Sequence, residues 1–398
     1  MKMELLPLIK QLSEELHEQV VGIRRTIHEN PELSYQEFKT SKLIFEELKK
    51  LGLEVQNNVA KTGVVGILKC QNPNSFCLAL RADMDALPIQ EQNDLSFKSK
   101  ENGVMHACGH DVHSASLLGV AMILSNLKDS LRGTYKFIFQ PSEEKMPSGA
   151  NAMITEGVLL NPSVDAIFGF HVHPEMEVGE VGFKSGQFMA SADEIYITVR
   201  GKGGHAAQPS QFISPLVMAS EVVLSLKEVT EIEKPIVLTF GKMVANGATN
   251  IVPDEAKLEG TLRCFDENYR NATHDFILLK CREIAEKYHA DIDVNIVNGY
   301  PVLSNNEELT DHSFYLAEQY LETGNCHRLP IRMGAEDFAF YSQKIPACFY
   351  RVGVGNKANG ITHPIHSPFF KIDENALKIS VALMSWLAVN FKKQDLSN

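Results

Sequence analysis

The sequence has no apolar run long enough to cross a bilayer. It also has no low-complexity tract, no repeat of solenoid length and no Pro/Gly-rich linker. Membrane-spanning and repeat architectures are therefore not expected. Positive charge is short as well: 38 Lys and Arg stand against 50 Asp and Glu, a net charge of −12. Such a surface repels phosphate backbones and anionic lipid, which argues against nucleic acid or a membrane as partner. Cysteine is sparse and irregular. The seven residues (Cys70, Cys77, Cys108, Cys264, Cys281, Cys326, Cys348) are odd in number and unpatterned, which suits reduced thiols better than a disulfide framework. Lys2, Glu4, Lys10, Glu14 and Glu15 leave no apolar core for a signal peptide at the N-terminus, and the expected location is the cytoplasm.

What is there is a chain of 398 residues, too long for one ordinary core, so two domains are expected. The segment to about Leu51 reads as helical, interrupted by His28, Asn30 and Pro31. Apolar runs at 63–69, 76–81, 134–139 and 165–170 read as strands, and 114–130 has apolar positions at helical spacing. Strands alternating with helices predict an α/β sheet. The pattern changes near 185. Residues 193–200 alternate as a half-buried strand does. They are followed by a helix at 213–229, strands near 235–243 and 257–263, a helix at 273–289 and a strand at 291–297. That order is β-α-β-β-α-β, the ferredoxin-like pattern. The expected architecture is an α/β catalytic domain in two pieces, residues 1–184 and 299–398, with an inserted ferredoxin-like α+β domain at 185–298.

The densest polar cluster is MHACGHDVH at 105–113. In extended backbone Cys108 and His110 point the same way and can converge on one ion, Gly109 giving the chain freedom to bend. Thiolate and imidazole suit a borderline-soft metal such as zinc. The plain alternative is a polar loop before the next helix, with an inert cysteine. Glu143 and Glu144 follow the run 134–139. In extended chain their carboxylates project to opposite sides, so one can bind a metal while the other takes a proton from water. Alone, the same pair reads as a solvated helix start behind an N-cap Ser142. His171 and His173 follow the run 165–170, and Asp83 and Asp85 follow 76–81. Ligands bind beyond the carboxyl ends of strands in open α/β sheets, so these groups form one plausible pocket. His363 and His366 can close it from the far end of the chain.

These motifs resemble the dinuclear-metal amidohydrolases related to hippurate hydrolase, plant auxin–amino-acid conjugate hydrolases and N-acetyldiaminopimelate deacetylase. The resemblance runs from about Arg24 to Leu377. It rests on RADMDALPIQE at 81–91, MHACGHDVH at 105–113, FQPSEE at 139–144, FGFHVHP at 168–174 and VRGKGGHAAQP at 199–209. It continues through TNIVPDEAKLEGTLR at 249–263, MGAEDFAFY at 333–341 and HSPFF at 366–370. Two departures are Lys145-Met146-Pro147-Ser148, where a Gly-rich stretch is usual, and Lys371, where an acid is common.

The resemblance implies Cys108, His110, Glu144, His171 and His366 as metal ligands and Glu143 as general base. Asp83 stands where the wider superfamily has a ligating His and is a weaker ligand candidate; Asp85 orients a ligand. His205 matches a residue that polarises the scissile carbonyl and contacts substrate, and Asn250 a substrate-side or interface position. By its own surroundings His205 reads only as a histidine in a Gly-rich turn. The implied cofactors are two divalent ions (zinc, manganese, cobalt or nickel), the substrate is a small N-acyl amino acid, and the inserted domain serves as lid and homodimer contact. Rival expectations are an exopeptidase for dipeptides, a metal-dependent sensor without catalysis, and a protein with structural zinc.

Overall fold

In the computed structural model, residues 4–231 and 235–393 are described. The chain divides into two compact units. The first comprises Met1–Gly186, Ser304–Pro330 and Phe340–Asn398; the second comprises Gln187–Leu303 and Ile331–Ala339. The segment Ile331–Ala339 is one that the order of elements does not assign to the insertion. The architecture is the two-domain α/β one, with a ferredoxin-like insertion.

The first unit opens with helices α1 (Leu5–Glu15), α2 (His17–Glu29) and α3 (Phe38–Lys50), as the interruption at 28–31 anticipates. Strands β1 (Glu54–Val59), β2 (Gly63–Lys69) and β3 (Cys77–Asp83) follow, then α4 (His110–Asn126), β4 (Thr134–Gln140), α5 (Gly149–Thr155), β5 (Ala166–Glu177) and β6 (Val181–Phe183). In the second unit lie β7 (Asp193–Arg200), α6 (Pro215–Leu226), β8 (Ile236–Val244), β9 (Glu255–Cys264), α7 (Glu267–Tyr288) and β10 (Asp291–Asn298). The chain then returns to the first unit with α8 (Glu307–Leu321), β11 (Cys326–Arg328), β12 (Ala347–Gly355) and α9 (Asn375–Asn390).

Eight strands of the first unit form one sheet in the order β1-β2-β4-β3-β5-β12-β6-β11. Its middle four, β4-β3-β5-β12, run parallel. Every residue of β3, β4 and β12 is buried, as expected of strands covered on both faces. The chain leaves β3 for β4 on one side and then crosses to β5 on the other. Strand order reverses there, and the crevice at such a point is where α/β sheets bind ligands.

Helix α4 starts at His110, four residues before the periodicity suggests. Its polar first turn (His110, Asp111, His113, Ser114) is buried, so it carries no amphipathic signal. The helix is buried on all sides as far as Leu124, the condition of a helix in the centre of a large core. β5 likewise runs on past Phe170, so His171 and His173 lie within the strand rather than beyond it. The second unit is an antiparallel sheet, β8-β9-β7-β10, with its own core around Ile195, Ile197, Val222, Leu258 and Ile277. No helix among the described residues is long and apolar enough to cross a membrane.

The position of α4 rests on close packing at Gly119. A Cβ there would stand 2.7 Å from Val381 Cγ2 of α9 and 3.0 Å from Val20 Cγ2 of α2. Gly119→Val should therefore lower stability by about 1–3 kcal/mol through overpacking, measured as the midpoint of urea unfolding. An unchanged midpoint would show that the helices can part without cost.

Candidate metal centre

Cys108 and His110 do converge, but not through extended chain. Gly109, at φ +85°, is the residue before α4, and His110 is the helix's first. A Cβ on Gly109 would lie 2.5 Å from Val172 Cγ2, so glycine lets this corner press against β5 beside His171. Cys108 Sγ then stands 3.2 Å from His171 Nε2. The His171 ring is oriented from its other side, where Nδ1–H donates to Val172 O at 2.8 Å. This tautomer leaves the Nε2 lone pair facing the cysteine.

Asp85 does the same for His110. Its Oδ1 accepts from His110 Nδ1 at 3.2 Å, which turns His110 Nε2, buried and without a hydrogen bond, toward Glu144 Oε1 at 3.9 Å. The same carboxylate accepts the Glu143 N–H at 3.0 Å, the Glu144 N–H at 3.1 Å and the Ser34 hydroxyl at 2.7 Å. Residues 142–147 are therefore neither an extended strand nor a helix start. Ser142 takes a left-handed φ of +49°, and the helix waits until Gly149, capped by Ser148. The two carboxylates do not simply part to opposite sides: one oxygen of each lies within 4.8 Å of a His110 ring nitrogen.

His366 completes the group from the end of the chain. Its N–H donates to Ala107 O at 2.8 Å, and its Nε2 is 3.3 Å from Glu144 Oε1. Metal-ligand atoms gather in overlapping sets within 4.8 Å of one another: Cys108, His110 and His171; Cys108, Glu144 and His366; and His110, Glu143 and Glu144. All five residues expected as ligands, and Glu143, thus meet in one place. Asp83 also lies near His110 and His113, but both its oxygens are engaged, by His113 Nδ1 at 2.6 Å and by Arg81 Nη1 at 2.6 Å. His113 is equally committed, since its Nε2 accepts the Val172 N–H at 3.0 Å. These two brace the site.

The electrostatics fit a cation. Burial and the neighbouring Glu144 and Glu143 carboxylates push the Cys108 thiol well above its usual range. Burial alone would lower the His110 imidazolium, but Asp83, Asp85 and Glu144 outweigh it and raise the group to about 10. Burial, with Arg351 nearby, holds His171 well below the ordinary value, hence neutral. A thiol crowded by carboxylates, beside an orphaned imidazole nitrogen, is a donor set that divalent cations satisfy.

His205 and Asn250 belong to the second unit and are neighbours there. His205 pairs with Ile251 in a short two-stranded ladder, and the Ala206 N–H donates to Asn250 O at 3.1 Å. His205 Nδ1 accepts the Ala207 N–H at 3.1 Å, which leaves Nε2 as the protonated nitrogen of an exposed ring. Sequence reasoning did not single out Ser34, Glu37 or Arg81 and gave His113 no role; only the polar run between α2 and α3 could have hinted at the first two.

Comparison with known proteins shows the family. The sequence matches peptidase family M20/M25/M40 over residues 79–390. The chain belongs to that family. As an M20-family protein it is a metal-dependent hydrolase acting on linear amide C–N bonds. It is 38% identical to a thermostable carboxypeptidase 2 of Saccharolobus solfataricus, over 98% of this chain and 100% of that one. It is also 38% identical to an N-acetylcysteine deacetylase of Bacillus subtilis, over 94% and 97% of the two chains. Among solved structures, a B. subtilis dinuclear metal-binding peptidase of family M20 superposes with a TM-score of 0.82, at 35% identity, covering 94% of this chain and 98% of that one.

Metal loading of this M20 site should be proton-coupled. In the metal-free protein the Cys108 thiol and the His110 imidazolium both keep their protons at neutral pH. With Cys108 and His110 as ligands, zinc would displace both, so its affinity should climb between pH 6 and 8 with release of about two protons. Calorimetry in buffers of different ionisation enthalpy reads that number directly; zinc uptake without proton release would contradict the ligand set.

Proposed function

We propose that this M20 hydrolase cleaves the amide bond of N-acyl amino acids, giving a carboxylic acid and a free amino acid. The observation that carries the reading is the 142–144 turn. It fixes two adjacent glutamates by their own backbone amides to Asp85, beside Cys108, His110, His171 and His366. Glu144 and these four residues would hold two divalent ions, zinc, manganese, cobalt or nickel. Ions there supply a water of lowered pKa and positive charge for the carbonyl oxygen. Glu143, nearly buried, takes the proton of the attacking water and returns it to the leaving nitrogen. Asp85 keeps His110 in the tautomer that presents Nε2. We assign substrate contacts to His205 and Asn250, His205 offering its Nε2–H to the carbonyl oxygen.

The name of the S. solfataricus relative supports a second reading, removal of a residue from a short peptide. The deacetylase relative supports the acyl reading, and so do the motifs shared with N-acyl amino acid hydrolases. We also propose that the chain forms a homodimer through the inserted domain, where Leu216, Val217 and Leu224 of α6 are exposed. The proposed location is the cytoplasm.

Chelated protein, reloaded with one metal at a time, should release free amine from benzoyl-glycine, N-acetyl amino acids, N-acetyldiaminopimelate or indole-acetyl conjugates. Glu143→Ala should lower kcat by on the order of 10³-fold, the usual range for a lost general base, while metal content by atomic emission stays as in the wild type. Loss of metal in that variant would sink the division of roles. Turnover of dipeptides with a free amine, and silence on blocked amino acids, would favour the peptidase reading. Leu224→Glu should convert the dimer to a monomer by light scattering; a wild-type chain already monomeric at micromolar concentration would refute the dimer.

A further inference from the structure

The segment between α2 and α3 has no chemical role in the reading above, yet it holds both ends of the turn that carries Glu143. Glu37 Oε1 accepts the Ser142 N–H at 2.9 Å, and the Tyr35 hydroxyl donates to Pro147 O at 2.8 Å. The two grips are tied together, because the same Glu37 oxygen accepts the Tyr35 N–H at 2.9 Å. The other oxygen accepts from Thr62 Oγ1 at 2.6 Å. Three successive amides therefore end on buried carboxylates: Ser142 on Glu37, then Glu143 and Glu144 on Asp85.

The backbone at both partners is in the left-handed region, φ +49° at Ser142 and +60° at Tyr35. Residues other than glycine persist there only where their surroundings impose it. Ser142 and Glu37 are each 0% exposed. Without Glu37 the Ser142 amide would be buried with no acceptor, a state that folded proteins avoid. Relief would come from rotating Ser142 out of the left-handed region, which swings the next residue, Glu143.

We propose that Glu37, together with Tyr35, is a positioning residue for the general base. It fixes the turn in the conformation that aims the Glu143 carboxylate, without touching substrate or metal. This rests on the reading of Glu143 as the base. Displacing a reacting group by about 1 Å can cost on the order of 10²-fold in rate, so the effect belongs in kcat.

The test uses the full chain, metal-loaded, on whichever N-acyl amino acid it turns over best. Glu37→Ala should lower kcat about 10²-fold with KM within about threefold, and with wild-type metal content. Glu37→Gln should recover at least about tenfold over Ala. Its amide oxygen can accept both N–H groups, and its NH2 can donate to Thr62 Oγ1. Burial, with the Asp85 charge adding to it, raises the Glu37 carboxyl to about 7, so a neutral side chain is a fair mimic. Tyr35→Phe should lower kcat by roughly three- to tenfold at constant KM. The proposal is overturned by wild-type kcat in Glu37→Ala, by metal loss in step with activity, or by a Gln variant no better than Ala. Should Glu37→Ala not fold, Tyr35→Phe decides: lowered kcat at constant KM supports the clamp, and unchanged kcat overturns it. Glu143→Ala as control separates the two ideas. Turnover in that control removes the base itself, whereas its silence beside a normal Glu37→Ala removes only the clamp.

Discussion

The site depends on one buried anion. Asp85 sits just past β3, and its two oxygens accept from His110, from two successive amides of the glutamate turn and from Ser34. Burial works against its ionisation. The His110 hydrogen bond and charge, with the Ser34 and Glu143 donors, outweigh that and keep it below the usual carboxylate range. A carboxylate so held is a fixed charge around which three separate segments must take one arrangement. An uncharged side chain of similar size could not accept from all of them, and the turn at 142–144 would lose its template.

Sheet topology explains why those segments meet. β3 and β5 are parallel neighbours, so Asp83, Asp85 and His171 arise at the same end of the sheet. Helix α4 starts where the preceding loop abuts β5, and its first turn brings His110 and His113 to that end. His113 then joins Asp83 of one strand to the Val172 amide of the next. The pair spans the strand boundary with two hydrogen bonds.

Much of this was legible in the sequence, and the failures have physical reasons. Cys108, His110, Glu143, Glu144, His171 and His366 stand out because chemistry-bearing side chains crowd short segments beside apolar runs. The start of α4 was misplaced because helical periodicity reports burial on one face only, and this helix is buried on all of them. The geometry of Glu143 and Glu144 was misread because their conformation is set by acceptors 58 and 59 residues away in sequence. Ser34 and Glu37 were silent for the same reason. A serine and a glutamate in a polar loop carry no local mark of a partner that only the fold supplies. Asp83 matched a ligand position, yet Arg81 and His113 each donate a hydrogen bond to one of its oxygens, which the motifs by themselves do not show.

The hydrogen bond from His366 to Ala107 joins residues more than two hundred and fifty positions apart. Between them the chain builds the whole insertion and then β12, which lies in the interior of the large sheet between β5 and β6. During synthesis the first 186 residues can present Cys108, His110, Glu143, Glu144 and His171, but the sheet stays open beside β5 and His366 has not been made. The cluster of donor side chains is thus complete only once the chain has passed His366. Until then the growing polypeptide carries a half-built hydrolase with neither its full complement of donors nor a closed sheet to hold them, so competence for hydrolysis is timed by the order of the chain itself.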